Sequence, residues 1–214
     1  LGAISQSMTT AKARQFAASQ EASTGARIQA PSGDPAAASQ LIRLQSTIEA
    51  TDGYRSTIST VQGDLEIAEA SLAEVGSLFD RAHELAMGAA SPTNDPSTRA
   101  ATALEVDNIR RQVLSLANKQ GTGGYLFGGT LTTTAAFNTN GTFIGNDSEH
   151  VVDISANNPA VVNVSGAKAF TAAGGRDVMA DLNDLATALR NNDDNGIRAS
   201  LDTLLSSREQ ILSS

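Results

Sequence analysis

The segment that most restricts the fold starts at Asp34-Pro35 and runs without a break to Gly88. Aspartate followed by proline is a helix start. The carboxylate accepts the free N–H groups of the first turn, and proline at the first helical position has no N–H to leave unpaired. From there Leu41, Leu44, Ile48 and Thr51 step by three and four. Tyr54, Ile58, Val61, Leu65, Ala68, Leu72, Val75, Phe79, Ala82 and Ala86 then alternate four and three. The step of three from Thr51 to Tyr54 follows another three and reads as a stammer. A helix over 35–88 is about 80 Å long at a rise of about 1.5 Å per residue. Such a helix needs partners along its length, and the face from Leu41 to Ala86 is expected to be core.

The rest of the chain supplies candidates for those partners. Residues 3–24 read as a weak helix with Ile4, Met8 and Ala11 on one face and Gly25 as its stop. Asp95-Pro96 repeats the earlier start signal and opens a second helix over 96–119, with Val106, Ile109, Val113 and Leu116 at heptad spacing. Between Gly121 and Gly175 the period changes to two. Asn140-Gly141 in "FNTNGTFI" is a hairpin signal, and "EHVVDIS" and "AVVNVSG" read as short strands separated by "ANNP". Helical spacing returns at Arg176 with Val178, Leu182, Leu185 and Leu189. After a turn at "NNDDNG" it continues with Ile197, Leu201, Leu204 and Ile211. The second helix, about 36 Å, and the last segment, about 55 Å, together are expected to cover the long one.

The expected fold is therefore mainly α with a β-rich insert: an elongated antiparallel helical bundle carrying a small β domain. The helical part takes 1–122 and 173–214 (helix and loop 1–38, long helix 35–88, second helix 96–119, last helices 176–214), and the β-rich insert takes 123–172. At their junction lies "GGYLFGGT", residues 123–130. Its glycines permit the turn, and Tyr125, Leu126 and Phe127 are expected to anchor the insert.

Composition excludes several function classes. A net charge of −8, with basic residues scattered singly apart from Arg110-Arg111, argues against nucleic acid and anionic membrane as partners. The absence of cysteine removes disulfides and thiol chemistry. No apolar run is long enough to span a membrane, and "LGAISQSMTTAKARQ" has no apolar signal-peptide core. Leu1 in place of Met, and a last helix with no stop before Ser214, read as cut points in a longer chain.

The motifs that suggest chemistry fail in detail. His83-Glu84 resembles the start of a zinc-protease H-E-x-x-H, but the second ligand position is Met87. "GTGGYLFGG" lacks both the P-loop Lys-Ser/Thr and the G-x-G-x-x-G spacing. His83 and His150 have no matching nucleophile arrangement. Asn191, Asp193, Asn195, Gly196 and Asp202 fall on calcium-loop positions but lack the first Asp and the last Glu, so a helix-turn-helix corner explains them better. Three Asn-x-Ser/Thr sites, at Asn140, Asn146 and Asn163, are close to chance in an Asn- and Thr-rich segment. The expectation is no enzyme, and no catalytic, cofactor-binding or metal-binding residue.

Four stretches carry a resemblance. "ASTGARIQAPSGDPAAAS" (22–39) resembles the N-terminal signature of bacterial flagellins and their relatives. Asp34-Pro35-Ala36-Ala37, where flagellin has an Asp-Asp-Ala type sequence, and "GGYLFGGTLTTTAAF" (123–137) are closer to the hook-filament junction branch of that family. "FIGND" (143–147) and "VNVSGAKAF" (162–170) are similar to that branch's strand and exit segments, with Phe143 for Tyr and Asn146 for the acidic residue.

The resemblance implies an extracellular structural component of the flagellum, exported unfolded by the flagellar apparatus and joining hook to filament. It implies as partners the preceding hook-associated junction protein, flagellin, its own copies in a ring and a flagellar export chaperone. A chain without the family's terminal segments is then expected to be a monomer. Gly25, Arg27, Pro31, Asp34 and Pro35 match the signature as assembly positions, or serve only to stop one helix and start the next. A minor filament flagellin and a secreted coiled-coil adhesin stay open as alternatives.

Overall fold

The computed structural model describes residues 2–25, 35–91 and 94–214. The chain divides into two compact units, Leu1–Gly53 and Tyr54–Ser214. The first contains α1 (Gly2–Thr24) and the opening turns of α2 (Pro35–Ala89). Gly25 follows α1 at φ 67°, the left-handed stop its sequence position suggests. Ile4, Met8 and Phe16 of α1 are exposed, so this helix has no buried face among its described side chains of that size.

One expectation needs correction in α2. Leu41, Leu44 and Ile48 are 43%, 60% and 56% exposed, and the continuous buried row starts only at Ala68, running through Leu72, Val75, Phe79, Ala82 and Ala86. The reason is length. The last segment is not one long run but folds in two at Asn191–Asp193, giving α5 (Val178–Arg190) beside α6 (Asp194–Leu212). With α3 (Pro96–Ala117), the helices packed in the second unit are 22 residues or shorter. At about 1.5 Å per residue they reach back along α2 by about 30 Å, which is the distance from Ala89 to Ala68.

Within the second unit these helices form an antiparallel bundle. α2 runs toward one end, α3 away from it, α5 back and α6 away again. Val106, Ile109 and Val113 of α3, Leu182, Leu185 and Leu189 of α5, and Ile197, Leu204 and Ile211 of α6 are all buried in one core with the α2 row. Ion pairs cross its surface from Arg81 to Glu105 at 2.8 Å and from Arg208 to Asp80 at 2.6 Å; exposed pairs of this kind add little stability. At the end where α2 stops, Arg99 is 2% exposed and its guanidinium reaches α2, the α2–α3 loop and the α5–α6 corner.

Asp95 caps α3 as its position before Pro96 suggests, accepting from the N–H groups of Ser97 at 2.8 Å and Thr98 at 2.9 Å. Hydrogen bonds from the Ser97 hydroxyl and then the Thr98 N–H hold its carboxyl down at about 2, below the ordinary 3.8. A carboxyl lowered in the folded state adds stability that is complete above its unfolded value and lost as pH falls through its folded one. The cap therefore weakens between about pH 4 and pH 2. Replacing Asp95 by Asn, which still caps, should remove that part of the acid-unfolding curve; identical curves for both proteins over this range would contradict it.

The segment after α3 makes two small antiparallel sheets. β1 (Gln120–Gly121) pairs with β2 (Gly124–Tyr125), and β3 (Val151–Ser155) pairs with β4 (Asn158–Val161). The second pair starts sooner than "ANNP" suggests, because Asn157 takes φ 57° and closes a tight turn ahead of Pro159. Asn140-Gly141 does form a turn, under a bridge between Phe137 and Phe143. Only Gly141 there has positive φ (88°), and its N–H meets the Asn138 carbonyl, the three-residue pattern rather than the two-residue one. "SGAKAF" forms a short helix, α4 (Gly166–Phe170), because the Ser165 hydroxyl caps the Lys168 N–H at 3.1 Å.

Candidate functional site

The stretch 123–130 lies where the chain leaves α3. Tyr125 donates its N–H to the Thr132 carbonyl at 2.9 Å, and Leu126 donates to the Lys119 carbonyl at 3.0 Å, so backbone bonds fold the loop against the end of α3. Phe127 is fully buried, whereas Tyr125 and Leu126 are half-buried. The Phe127 ring meets Phe170 edge-on at 5.3 Å, Phe170 meets Phe137 at 5.6 Å, and Phe137 meets Phe143 at 5.2 Å. Phe127, Phe137 and Phe170 belong to the same core as the bundle helices. Close approaches require glycine here: a Cβ on Gly124 (φ 113°) would sit 2.2 Å from the Thr132 carbonyl oxygen, and one on Gly166 would sit 2.1 Å from that of Phe127.

Side-chain amides complete the fastening. Asn118, the residue after α3, accepts from the Phe137 N–H at 2.8 Å and donates to its carbonyl at 3.0 Å. Gln210 on α6 accepts from the Arg176 N–H at 2.7 Å and donates to the carbonyls of Ala169, Thr171 and Arg176. The outgoing and returning strands of chain are each pinned by one amide. Neither residue carries a local sequence signal for this, because the partners lie 19 or more positions away.

Asp64 of α2 reaches the β1–β2 turn, accepting from Thr122 N–H at 2.7 Å and Gly123 N–H at 3.4 Å. Beside it a groove of about 310 Å³ opens between α2 and the β segment, lined by Val61, Leu65, Tyr125, Leu126, Val152 and Val162 among others. Removing the carboxylate in Asp64→Ala should cost about 1 kcal/mol and release the turn. Hydrogen exchange at Thr122 and Gly123 reports it; unchanged protection at both amides would show that the turn does not depend on α2.

Most of the residues singled out for chemistry have structural partners among the described residues, the two histidine side chains aside. His83 is half-buried and Met87 exposed on α2. Asn191 ends α5, Asp193 caps α6 by accepting from Asn195 N–H, and Asn192 (φ 53°) accepts from Arg99, which is a helix corner. Asn146 and Asn163 bond to Thr130 and to the His150 and Ser148 backbone. Among the described residues no three His, Asp or Glu side chains come together as a metal site. Of the signature positions, Gly25 stops α1 and Pro35 starts α2; Arg27, Pro31 and Asp34 lie outside the described residues.

The helices α1 to α3 and the loop after them match a known sequence family, described as the bacterial flagellin N-terminal helical region, over residues 3–132. The chain belongs to the bacterial flagellin family. Relatives of this flagellin-family chain include flagellar hook-associated protein 3 of Escherichia coli, 29% identical over 165 residues, and that of Salmonella typhimurium, 28% identical over the same length. Each alignment covers 76% of this chain and 52% of the relative, so the chain spans about half the length of the curated relatives it matches.

Solved structures share the fold. A putative flagellar hook-associated protein from Vibrio parahaemolyticus superposes with a TM-score of 0.77 at 24% identity, covering 86% of this chain and 85% of that one. FlgL of Bacillus cereus gives 0.69 at 22% identity, covering 82% and 86%. A helical bundle with a small β part is thus the architecture of this flagellin-family chain and of these structures.

Proposed function

We propose that this chain is a structural component of the bacterial flagellum, placed at the junction where the hook meets the filament. The observation that carries the reading is its similarity, across 76% of its length, to proteins named flagellar hook-associated protein 3. The packing supports it. The β segment, read as an insert over 123–172 in a helical part of 1–122 and 173–214, shares its aromatic core with the bundle, so bundle and insert keep one geometry under load. A junction piece that passes torque needs that property.

On this reading the chain works outside the cell and is not an enzyme. Its partners are the preceding hook-associated junction protein, flagellin, its own copies in a ring, and an export chaperone. Tyr125, Leu126 and Phe127 anchor the insert, and Gly25, Arg27, Pro31, Asp34 and Pro35 serve assembly. No helix among the described residues is long and apolar enough to cross a membrane. All five aromatic rings between 123 and 172 are buried or half-buried, so nothing there favours a surface-binding adhesin.

The test is deletion of the gene, followed by electron microscopy and a blot for flagellin in the medium. Hooks without filaments and flagellin shed into the medium are expected. Normal filaments on the deletion strain would overturn the assignment.

A further inference from the structure

The adjacent arginines at 110 and 111 are not absorbed by the bundle. In a chain with 15 basic and 23 acidic residues, cations find carboxylates easily, and Arg81, Arg99, Arg176 and Arg208 each pair with one inside the second unit. Arg110 does not: its Nε is buried without a hydrogen-bond partner. Arg111 is exposed and, among the described residues, meets the side-chain oxygen of Asn108 and no carboxylate. Arg190 of α5 comes to the same surface hollow, where Asp107 is its partner and the one carboxylate present. Three guanidinium charges against one carboxylate leave this hollow at about +2 within a protein of net charge −8, with Asp177 on the adjoining hollow that Arg110 also lines.

The opposite imbalance lies on α2. Glu66, Glu69 and Glu74 are exposed and have no cation partner among the described residues. They fall within about 12 Å along the helix axis. Around the helix Glu66 lies between the other two, about 60° from Glu69 and about 80° from Glu74, so the three spread over the side away from the buried row. A guanidinium binds a carboxylate through two parallel N–H···O bonds, so such a group of carboxylates suits arginines better than it suits lysines.

We propose that the face built by Arg110, Arg111 and Arg190 in one copy docks on the Glu66, Glu69 and Glu74 stretch of α2 in a second copy of this chain. The two surfaces differ, so the contact is head-to-tail, and repeated contacts of that kind close into a ring when the rotation permits. Two copies of net charge −8 repel at long range, but at physiological salt the screening length is about 8 Å, so the local match decides the contact. The proposal rests on the reading that copies of this chain assemble side by side in the flagellum, and it adds which charges meet.

The chain has no cysteine, so introduced thiols report cleanly. Gln112→Cys, next to Arg111, and Ala70→Cys, among the three glutamates, are prepared separately, mixed and mildly oxidised; both positions are exposed. The mixed disulfide should exceed either homodimer severalfold. Its yield should fall on the order of tenfold as salt rises from about 0.05 M to about 0.5 M, where charges are screened within a few ångströms. Adding Arg110→Glu and Arg111→Glu to the first protein should abolish it, and Glu66→Arg, Glu69→Arg and Glu74→Arg in the second should restore it.

Arg111→Glu alone, on an exposed side chain, serves if the double variant does not fold, and should also lower the yield. A statistical mixture indifferent to salt and to charge reversal would overturn the proposal. The deletion phenotype is read separately: normal filaments would end the junction reading whatever the disulfides show, while hooks without filaments combined with a statistical mixture would end only the docking.

Discussion

Replacing Arg99 by Met should lower the stability of the second unit by about 3 kcal/mol, because it strips the buried Ala89 carbonyl of its partner and breaks the part-buried bonds to the Ser91 carbonyl and Asn192. The Arg99 side chain is 3% exposed and forms an ion pair with Asp194. Its Nε donates to the Ala89 carbonyl at 3.0 Å, one Nη to the Ser91 carbonyl at 3.2 Å, and the other to Asn192 Oδ1 at 2.7 Å. One planar cation therefore closes the end of α2, the loop into α3 and the α5–α6 corner. For a unit of this size, about 3 kcal/mol is a drop in melting temperature of roughly 6–12 °C.

Arg99→Lys should recover less than half of the loss, since a single ammonium cannot meet three acceptors in a fork. A double-mutant cycle of Arg99→Met with Asn192→Ala should show coupling of about 1 kcal/mol or more. A methionine variant that melts with the parent would mean that solvent already satisfies these carbonyls. Asp194 is half-exposed and can hydrate, so most of the loss is expected from the backbone acceptors.

Arg99 also shows where the sequence can and cannot be read. It stands four residues before Ala103 and seven before Val106, on the register that Ile109, Val113 and Ala117 continue into the core. A charged residue on a core register is a signal for a buried, satisfied cation, and that signal is present in the heptad spacing of α3. The long helix was legible for the same reason its limits are: Asp34-Pro35 and Gly88 bracket a heptad pattern with a single stammer, and the structure gives Pro35–Ala89. Periodicity says which face is apolar but not how far along it a partner extends. Leu41 and Leu72 carry the same pattern, and only the fold-back at Asn191–Asp193 decides that the second is covered by the bundle.

In the β segment the local turns were readable from Asn140-Gly141 and, less closely, from "ANNP", whose last two residues fall in β4, but the fastenings were not. Asp64 acts 58 residues away at Thr122, and Gln210 acts 34 residues away at Arg176. No spacing rule reaches that far. The family match ends at residue 132, just past the glycine-rich loop.

The loop's own weight rests on one ring, and here the largest loss of any single truncation is expected. Phe127→Ala should cost about 3–5 kcal/mol, the usual range for emptying a fully buried phenylalanine site, with the edge-on contact to Phe170 lost as well. Tyr125→Ala, in the same loop but half-buried, should cost clearly less, on the order of 1 kcal/mol. Gly166→Ala approaches the same point from the other side, since its Cβ would meet the Phe127 carbonyl oxygen at 2.1 Å; overpacking of that kind costs about 1–3 kcal/mol.

Because Phe127 shares its core with Val106, Val113 and Leu182, the bundle and the β segment should lose stability together, in one melting transition moved downward. Circular dichroism of the helices and limited proteolysis of the β segment should then report the same shift. Helices that melt unchanged while the β segment becomes protease-sensitive would instead make it a separate folding unit, attached at Phe127 but not sustained by it.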